Sequence, residues 1–218
     1  MTGGVFIVTQ SVSSWKHLLK GIVMMKWLFR IGVVLVLLLA AFVVVGLLLP
    51  TDYVVERSVV VDAPRDRVHG LIADLVEWDK WEPWSAEDPT VVVTPGPKTT
   101  GVGASQTWTD QTGGGELVFT MSDPAKGVGY DMTIADAMHA KATILHEVLG
   151  DGKVRVTWRM EGDASGAPVV GGYLAKLLPA AIGPMFESGM ANLKAIAETP
   201  GTTGVAGEGG GAATQPAE

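Results

Sequence analysis

From Ile31 to Leu49 the chain reads IGVVLVLLLAAFVVVGLLL, with no charged or strongly polar side chain. No other stretch constrains the fold so tightly. As a helix rising ~1.5 Å per residue it is roughly 28 Å long, which matches a bilayer core. The apolar surface is continuous around the helix rather than confined to one side, so an amphipathic surface helix fits poorly. A buried core helix of this kind would need a much larger domain around it. The segment is expected to span a membrane, with Pro50 closing it.

A cleaved signal has an apolar core of ~7–15 residues followed by small residues at the cleavage site. Here the core is longer and GLLLPTDY offers bulky leucines at that point, so a permanent anchor is expected. Lys16, Lys20, Lys26 and Arg30 precede the span, whereas Asp52, Glu56 and Arg57 follow it. The excess of basic residues places the N-terminus (residues 1–30) in the cytoplasm and residue 51 onward outside it. Trp27 stands where an aromatic belt residue would. Met24-Met25-Lys26-Trp27 reads as a start site, so residues 1–23 are expected to be an over-extended start or a short cytoplasmic tail.

The remainder carries a mild acidic balance, net charge −7 for the whole chain, which argues against nucleic acid, whose phosphates call for a clustered basic face. The absence of cysteine excludes disulfides, thiolate catalysis and cysteine-ligated metals. Residues 51–198 have the size of one domain. The tail from Thr199, TPGTTGVAGEGGGAATQPAE, is too small and polar to bury apolar surface and is expected to be disordered.

Within the domain, β-branched Val54–Val61 reads as a strand, and Pro64 suits the first turn of a helix whose Val68, Leu71, Ile72 and Leu75 share one face. Strands are expected at Thr90–Thr94, Ala104–Thr109, Glu116–Ser122, Gly127–Ile134, His139–Glu147 and Val154–Glu161, separated by Gly, Pro and Asp turns. Val154, Val156, Trp158 and Met160 alternate with Arg155, Thr157 and Arg159, the pattern of an antiparallel sheet with one covered face. The cover is a helix from about Gly172 to Ala197, with a kink or break expected near Gly183-Pro184.

The segments ERSVVVDAPRDRVHGLIADLVEWDKWEPW (Glu56–Trp84), Asp88-Pro89, GVGASQTW (Gly101–Trp108), VRVTWRMEGD (Val154–Asp163) and GPMFESGMANLKAIAE (Gly183–Glu198), in this order, resemble the helix-grip superfamily. That group contains START lipid-transfer domains, birch-pollen-type allergens and polyketide cyclase/dehydrase-like proteins (SRPBCC), and the similarity to the bacterial cyclase-like members is the closer one. It implies an α+β fold: a seven-stranded antiparallel sheet wrapped around a long C-terminal helix, with an apolar cavity between them. It says little about a reaction, because such folds host binding, cyclisation and chaperone contacts alike.

Chemistry is hard to find. His69, His139 and His146 form no metal-binding pattern and read as solvated or satisfied polar residues. The glycines at Gly101 and in the TGGGE run read as turns, Ser188 stands in no nucleophile elbow, and Glu87-Asp88 and Glu161…Asp163 read as solvated. No catalytic residue, metal site or cofactor is assigned, and enzyme activity is left open, leaning against. What remains is the covered face. Trp84, Gln106, Trp108, Phe119, Met121, Tyr130, Met132, Ile144, and Trp158 with Met160, opposite Leu178, Ile182, Met185 and Phe186, are expected to line the cavity.

In WDKWEPW (Trp78–Trp84), Trp78 and Trp81 are expected to anchor a turn and Trp84 to reach the cavity rim. The expected function is a membrane-anchored binding module for a lipid or other hydrophobic small molecule. The alternatives are a polyketide cyclase/dehydratase-type enzyme, which would need Gln106 or Tyr130 as its polar group, and a protein-interaction or chaperone-like module.

Overall fold

The computed structural model describes residues 11–111, 113–135 and 138–199, with side chains from Met24 onward. The tail expected to be disordered lies outside the described residues from position 200 on. So do residues 1–10 and the side chains of Lys16 and Lys20.

A long helix, α1 (Ser11–Leu48), leads into strand β1 (Asp52–Val61). Three helices follow: α2 (Arg65–Ala73), α3 (Leu75–Trp78) and α4 (Trp84–Glu87). Six strands come next, β2 (Val92–Pro95), β3 (Ser105–Thr109), β4 (Gly115–Asp123), β5 (Gly127–Ile134), β6 (Met138–Val148) and β7 (Val154–Asp163). Helix α5 (Gly171–Glu198) ends the described chain. The strands form one antiparallel sheet in the order β1-β7-β6-β5-β4-β3-β2, gripping α5 on one face. This is the helix-grip architecture that the resemblance implies.

The alternation along β7 is realised. Val154, Val156, Trp158 and Met160 are buried beneath the helices, and the intervening residues face outward. On the outer face Arg159 pairs with Glu56 across to β1 and with Glu161 on its own strand. Such exposed pairs add little stability, so the sheet is held chiefly by what its inner face buries.

Register arranges that inner face in rows. One runs Tyr53, Gly162, Ala140, Met132, Leu117, Gln106 across β1, β7, β6, β5, β4 and β3. The next row toward the start of β1 holds Met138, Ile134, Gly115, Trp108 and Val93. Moving the other way, Val55, Met160, Ala142, Tyr130 and Phe119 come first, then Trp158 and Ile144.

Helix α5 runs continuously through Pro179 and Pro184. Of the kink or break expected near Gly183-Pro184, the break is absent. Proline crowds the Cβ of the residue before it, and before Pro184 that residue is Gly183, which has none. Gly183 is also where the Arg57 guanidinium lies against the helix, on its way to the Glu187 carboxylate; any larger residue would collide with it. Tertiary packing therefore carries the helix across a position where local propensity would end it.

Helix α1 contains the described residues' one stretch long and apolar enough to cross a membrane, Met24–Leu48, with nearly all of its side chains exposed.

Candidate ligand cavity

The tryptophan segment solves a local problem. A helix leaves its last carbonyls without partners, and at the end of α2 two of these are satisfied by indoles. Trp78 Nε1 donates to the Ile72 carbonyl and Trp81 Nε1 to the Leu71 carbonyl, each at 2.9 Å. Both rings are fully buried and pack against each other at 5.2 Å. The buried Glu82 carboxylate then accepts from the Trp84 amide at 2.6 Å and from the Ser85 hydroxyl, capping α4 and fixing where Trp84 points. Trp84 is half-buried and meets Trp158 edge-on at 5.5 Å.

Between α5, α4 and the sheet lies a cavity of about 460 Å³. Ligand pockets generally measure ~300–1,000 Å³, so the space is large enough for a small molecule. The sheet contributes Tyr53, Gln106, Trp108, Leu117, Tyr130, Met132 and Met160; the helices contribute Trp78, Trp84, Ile182, Met185 and Phe186. Glu87, Asp88, Val91, Val93, Asp110, Ile134 and Met138 complete the lining toward its rim.

Nine residues expected at the cavity meet there: Trp84, Gln106, Trp108, Tyr130, Met132, Met160, Ile182, Met185 and Phe186. Five do not. Phe119, Ile144 and Trp158 lie in the core beyond the wall made by Trp78, Tyr130 and Phe186, and Trp158 stacks on Phe186 at 4.0 Å. Leu178 packs against the core outside the lining. Met121 is turned away by a β-bulge between Phe119 and Met121, which places it opposite Gly129 on the outer face.

Tyr53, Trp78 and Leu117 were missed as site residues, and so was the whole acidic rim. Leu117 is signalled by strand alternation with Phe119; of the acidic rim, Asp88 and Asp110 lie on irregular chain just past α4 and β3, which no periodicity predicts.

Two glycines shape the cavity walls. Gly115 faces Trp108 across β3 and β4, and Gly162 faces Tyr53 across β1 and β7. In each pair the ring occupies the space that a Cβ on the glycine would need. Gly115 was expected in a turn; it is instead the first residue of β4 and the seat of a cavity aromatic.

The polar inventory is short. Gln106 is buried, and its side-chain amide hydrogen-bonds to no described residue, although it lines the cavity. The Tyr130 hydroxyl accepts from Trp158 Nε1 at 2.9 Å, and burial pushes its pKa far above the ordinary 10.0, against a smaller lowering by that hydrogen bond. Burial likewise raises Tyr53. Both phenols therefore remain neutral at physiological pH and neither can serve as a general base. At the rim the Asp88 carboxylate is engaged by Thr90, through its amide at 2.9 Å and its hydroxyl at 2.6 Å.

Far from the cavity, on the inner face near α2, His69 Nδ1 and His146 Nε2 stand 3.1 Å apart. His146 is buried and its Nδ1 has no partner, so it is neither the solvated nor the satisfied residue that its sequence context suggested. His139 does conform, exposed and 3.2 Å from the Thr133 hydroxyl. Among the described residues no three His, Asp or Glu side chains gather as a metal site.

Solved structures share the fold at low identity. A Chromobacterium violaceum protein, CV1439, is 18% identical with TM-score 0.51, over 67% of this chain and 99% of that one. The KanY protein is 15% identical with TM-score 0.52, over 68% and 99% respectively. The di-domain ARO/CYC protein BexL, from the BE-7585A biosynthetic pathway, is 15% identical with TM-score 0.50, over 69% of this chain and 52% of that one. No curated protein sequence matches. The family described as polyketide cyclase/dehydrase and lipid transport matches residues 53–198, the whole of the sheet and α5, and the chain belongs to that family.

Proposed function

We propose that the protein is a membrane-anchored binding module whose cavity holds a lipid or another small molecule with an apolar body and one polar group. The observation that carries this reading is the cavity itself: aromatic and aliphatic walls around one side-chain amide, that of Gln106, which hydrogen-bonds to no described residue. A ligand that hydrogen-bonds to this amide is favoured over one of the same shape that leaves it without a partner. Family membership supports a hydrophobic ligand or a cyclase-like role at the coarse level.

Helix α1 is the anchor. Lys26 and Arg30 at its N-terminal side keep that end cytoplasmic and direct the domain to the opposite side. Tethering holds the cavity at high local concentration beside a lipid source. An enzymatic cyclisation or dehydration is the second reading, supported by likeness to the family; it lacks a tuned acid or base, since Tyr130 is locked neutral.

The test is native mass spectrometry of the full chain extracted in mild detergent, followed by titration with fluorescent fatty acid and phospholipid probes. Binding that weakens several-fold in Gln106→Leu for probes with a polar head supports the assignment. Retention of no apolar molecule, and no probe binding, would overturn it.

A further inference from the structure

The outer face of α5 changes character along its length. From Val170 the exposed positions Val170, Leu174, Leu177, Ala181 and Pro184 fall at i, i+4, i+7, i+11 and i+14 and make a continuous apolar stripe, with exposed Lys176 and Ala180 along one flank. Leu177 is 63% exposed, and Lys176 is the one charged residue between Ala167 and Phe186. At Glu187 the large apolar side chains stop, and the exposed surface passes to Glu187, Ser188 and Asn192 with two small alanines, Ala191 and Ala195, beside them. A helix that continues past the patch with a polar exterior did not become apolar for lack of alternatives, and no described part of the chain covers the stripe.

The same end of α5 is joined to α1. The Phe42 and Tyr173 rings stack at 4.6 Å with planes 2° apart, and the Tyr173 hydroxyl donates to the Phe42 carbonyl at 2.8 Å. Gly46 is buried where Val169 and Tyr173 press on it, and Gly172 sits against Leu49. Glycine at these two positions lets the helices touch backbone to backbone.

This contact fixes depth. Phe42 precedes the end of the apolar run at Leu49 by about two turns, which is ~10 Å along an upright helix. A ring stacked on Phe42 cannot stand in bulk water if α1 spans the bilayer. Interfacial helices bury their apolar face ~5–10 Å into the boundary between headgroups and acyl chains, the same depth.

We infer that the N-terminal half of α5, through the stripe Val170–Pro184, is embedded in the outer boundary of the bilayer that α1 crosses. The domain thus docks on lipid in a set orientation instead of swinging on a tether. Its cavity rim faces the same surface, because Ile134 and Met138 lie at the end of the sheet where β1 leaves α1. The occupant is the bilayer, because the stripe is continuous with the surface of α1 and carries no acidic residue before Glu187. This inference rests on the reading of α1 as a span.

The chain lacks cysteine, so single-cysteine variants label cleanly. Full-length Leu177→Cys, Leu174→Cys, Ala191→Cys and Leu37→Cys, each carrying an environment-sensitive fluorophore, are reconstituted into phosphatidylcholine/phosphatidylglycerol vesicles. Nitroxide-labelled lipids and aqueous iodide serve as opposed quenchers. The expected result is several-fold stronger lipid than iodide quenching at 177 and 174, and the reverse at 191. Lipid quenching at 37 combined with iodide quenching at 177 overturns the docking while leaving the span intact. Failure of lipid quenching at 37 overturns the span and the docking together. Protection of 177 from both quenchers, growing with protein-to-lipid ratio, shows that a second copy covers the stripe and also overturns it.

Discussion

Single residues set the cavity's shape more than any average property of the sheet does. Trp108 occupies the place where Gly115 has no side chain, and a Cβ there would also meet the Thr133 carbonyl. Gly115→Val is therefore expected to destabilise the domain by about 1–3 kcal/mol through overpacking, and to abolish probe binding by displacing Trp108. Urea denaturation and probe titration measure the two effects. The glycine run itself was legible, but its role was not: turn and ring seat look alike until the cross-strand partner is known. The His69–His146 pair was equally hidden, since residues distant along the chain meet only through the packing of α2 on the sheet. Burial is the largest cause lowering both pKa values below 6.5; His69 and then Arg65 add to the lowering at His146, against a hydrogen bond to its own backbone and Asp123, while at His69 Arg65 adds to it against Asp66 and Asp123. A folded state that resists protonation binds fewer protons than the unfolded chain just below pH 6.5. Stability is thus full above the unfolded pKa, falls as pH drops through it, and levels off below the folded values. Melting temperature should decline as pH falls through the unfolded value of 6.5, and His146→Leu, which removes the orphan nitrogen, should flatten that decline. An unchanged slope in the variant would exclude the pair as its source.

Among the elements, strands were read well because each carries its own evidence: β-branched residues, alternation and bounding turns. Gly127–Ile134 and the start at Val154 coincide with the observed strands. What alternation cannot show is a bulge, and the one in β4 turned Met121 from an expected cavity residue into an outer-face one. Proline in α5 misled for a related reason. Its local cost is real, yet α5 lies along β1 and β7 with Phe186 and Leu193 fully buried, and that burial outweighs two missing hydrogen bonds. The short helices depend instead on specific polar contacts. Trp78→Phe keeps an aromatic ring but leaves the Ile72 carbonyl unpartnered, and should cost about 1–3 kcal/mol. The loss should appear as a lower denaturation midpoint with an unchanged slope in urea, because the surface exposed on unfolding stays the same. A changed slope would mean that α2 and α3 no longer fold with the sheet.

For the molecule as a whole, the aromatic residues divide the space under α5 into two parts. Trp81, Trp158, Ile144 and Phe119 fill one completely; Trp78, Tyr130 and Phe186 form the wall; beyond it the cavity remains. The inner-face residues were legible as a set, but which of them meet in the middle depends on where α4 and its tryptophans stop, and that is decided by the Glu82 cap. A cavity left open beside a filled core forgoes contacts that larger side chains would make, so filling it should be tolerated by the fold and fatal to binding. A ligand present at 100 times its dissociation constant stabilises the folded state by about 2.7 kcal/mol, or roughly 5–10 °C for a domain of this size. Met132→Trp, whose larger ring projects from the middle of β5 into the space, should abolish that shift while leaving the melting temperature of the ligand-free protein within a few degrees of the original. Differential scanning fluorimetry with a fatty acid probe reads both quantities in one experiment. A ligand-induced shift that survives Met132→Trp would place the binding site elsewhere on the molecule, and would leave this cavity as packing space alone.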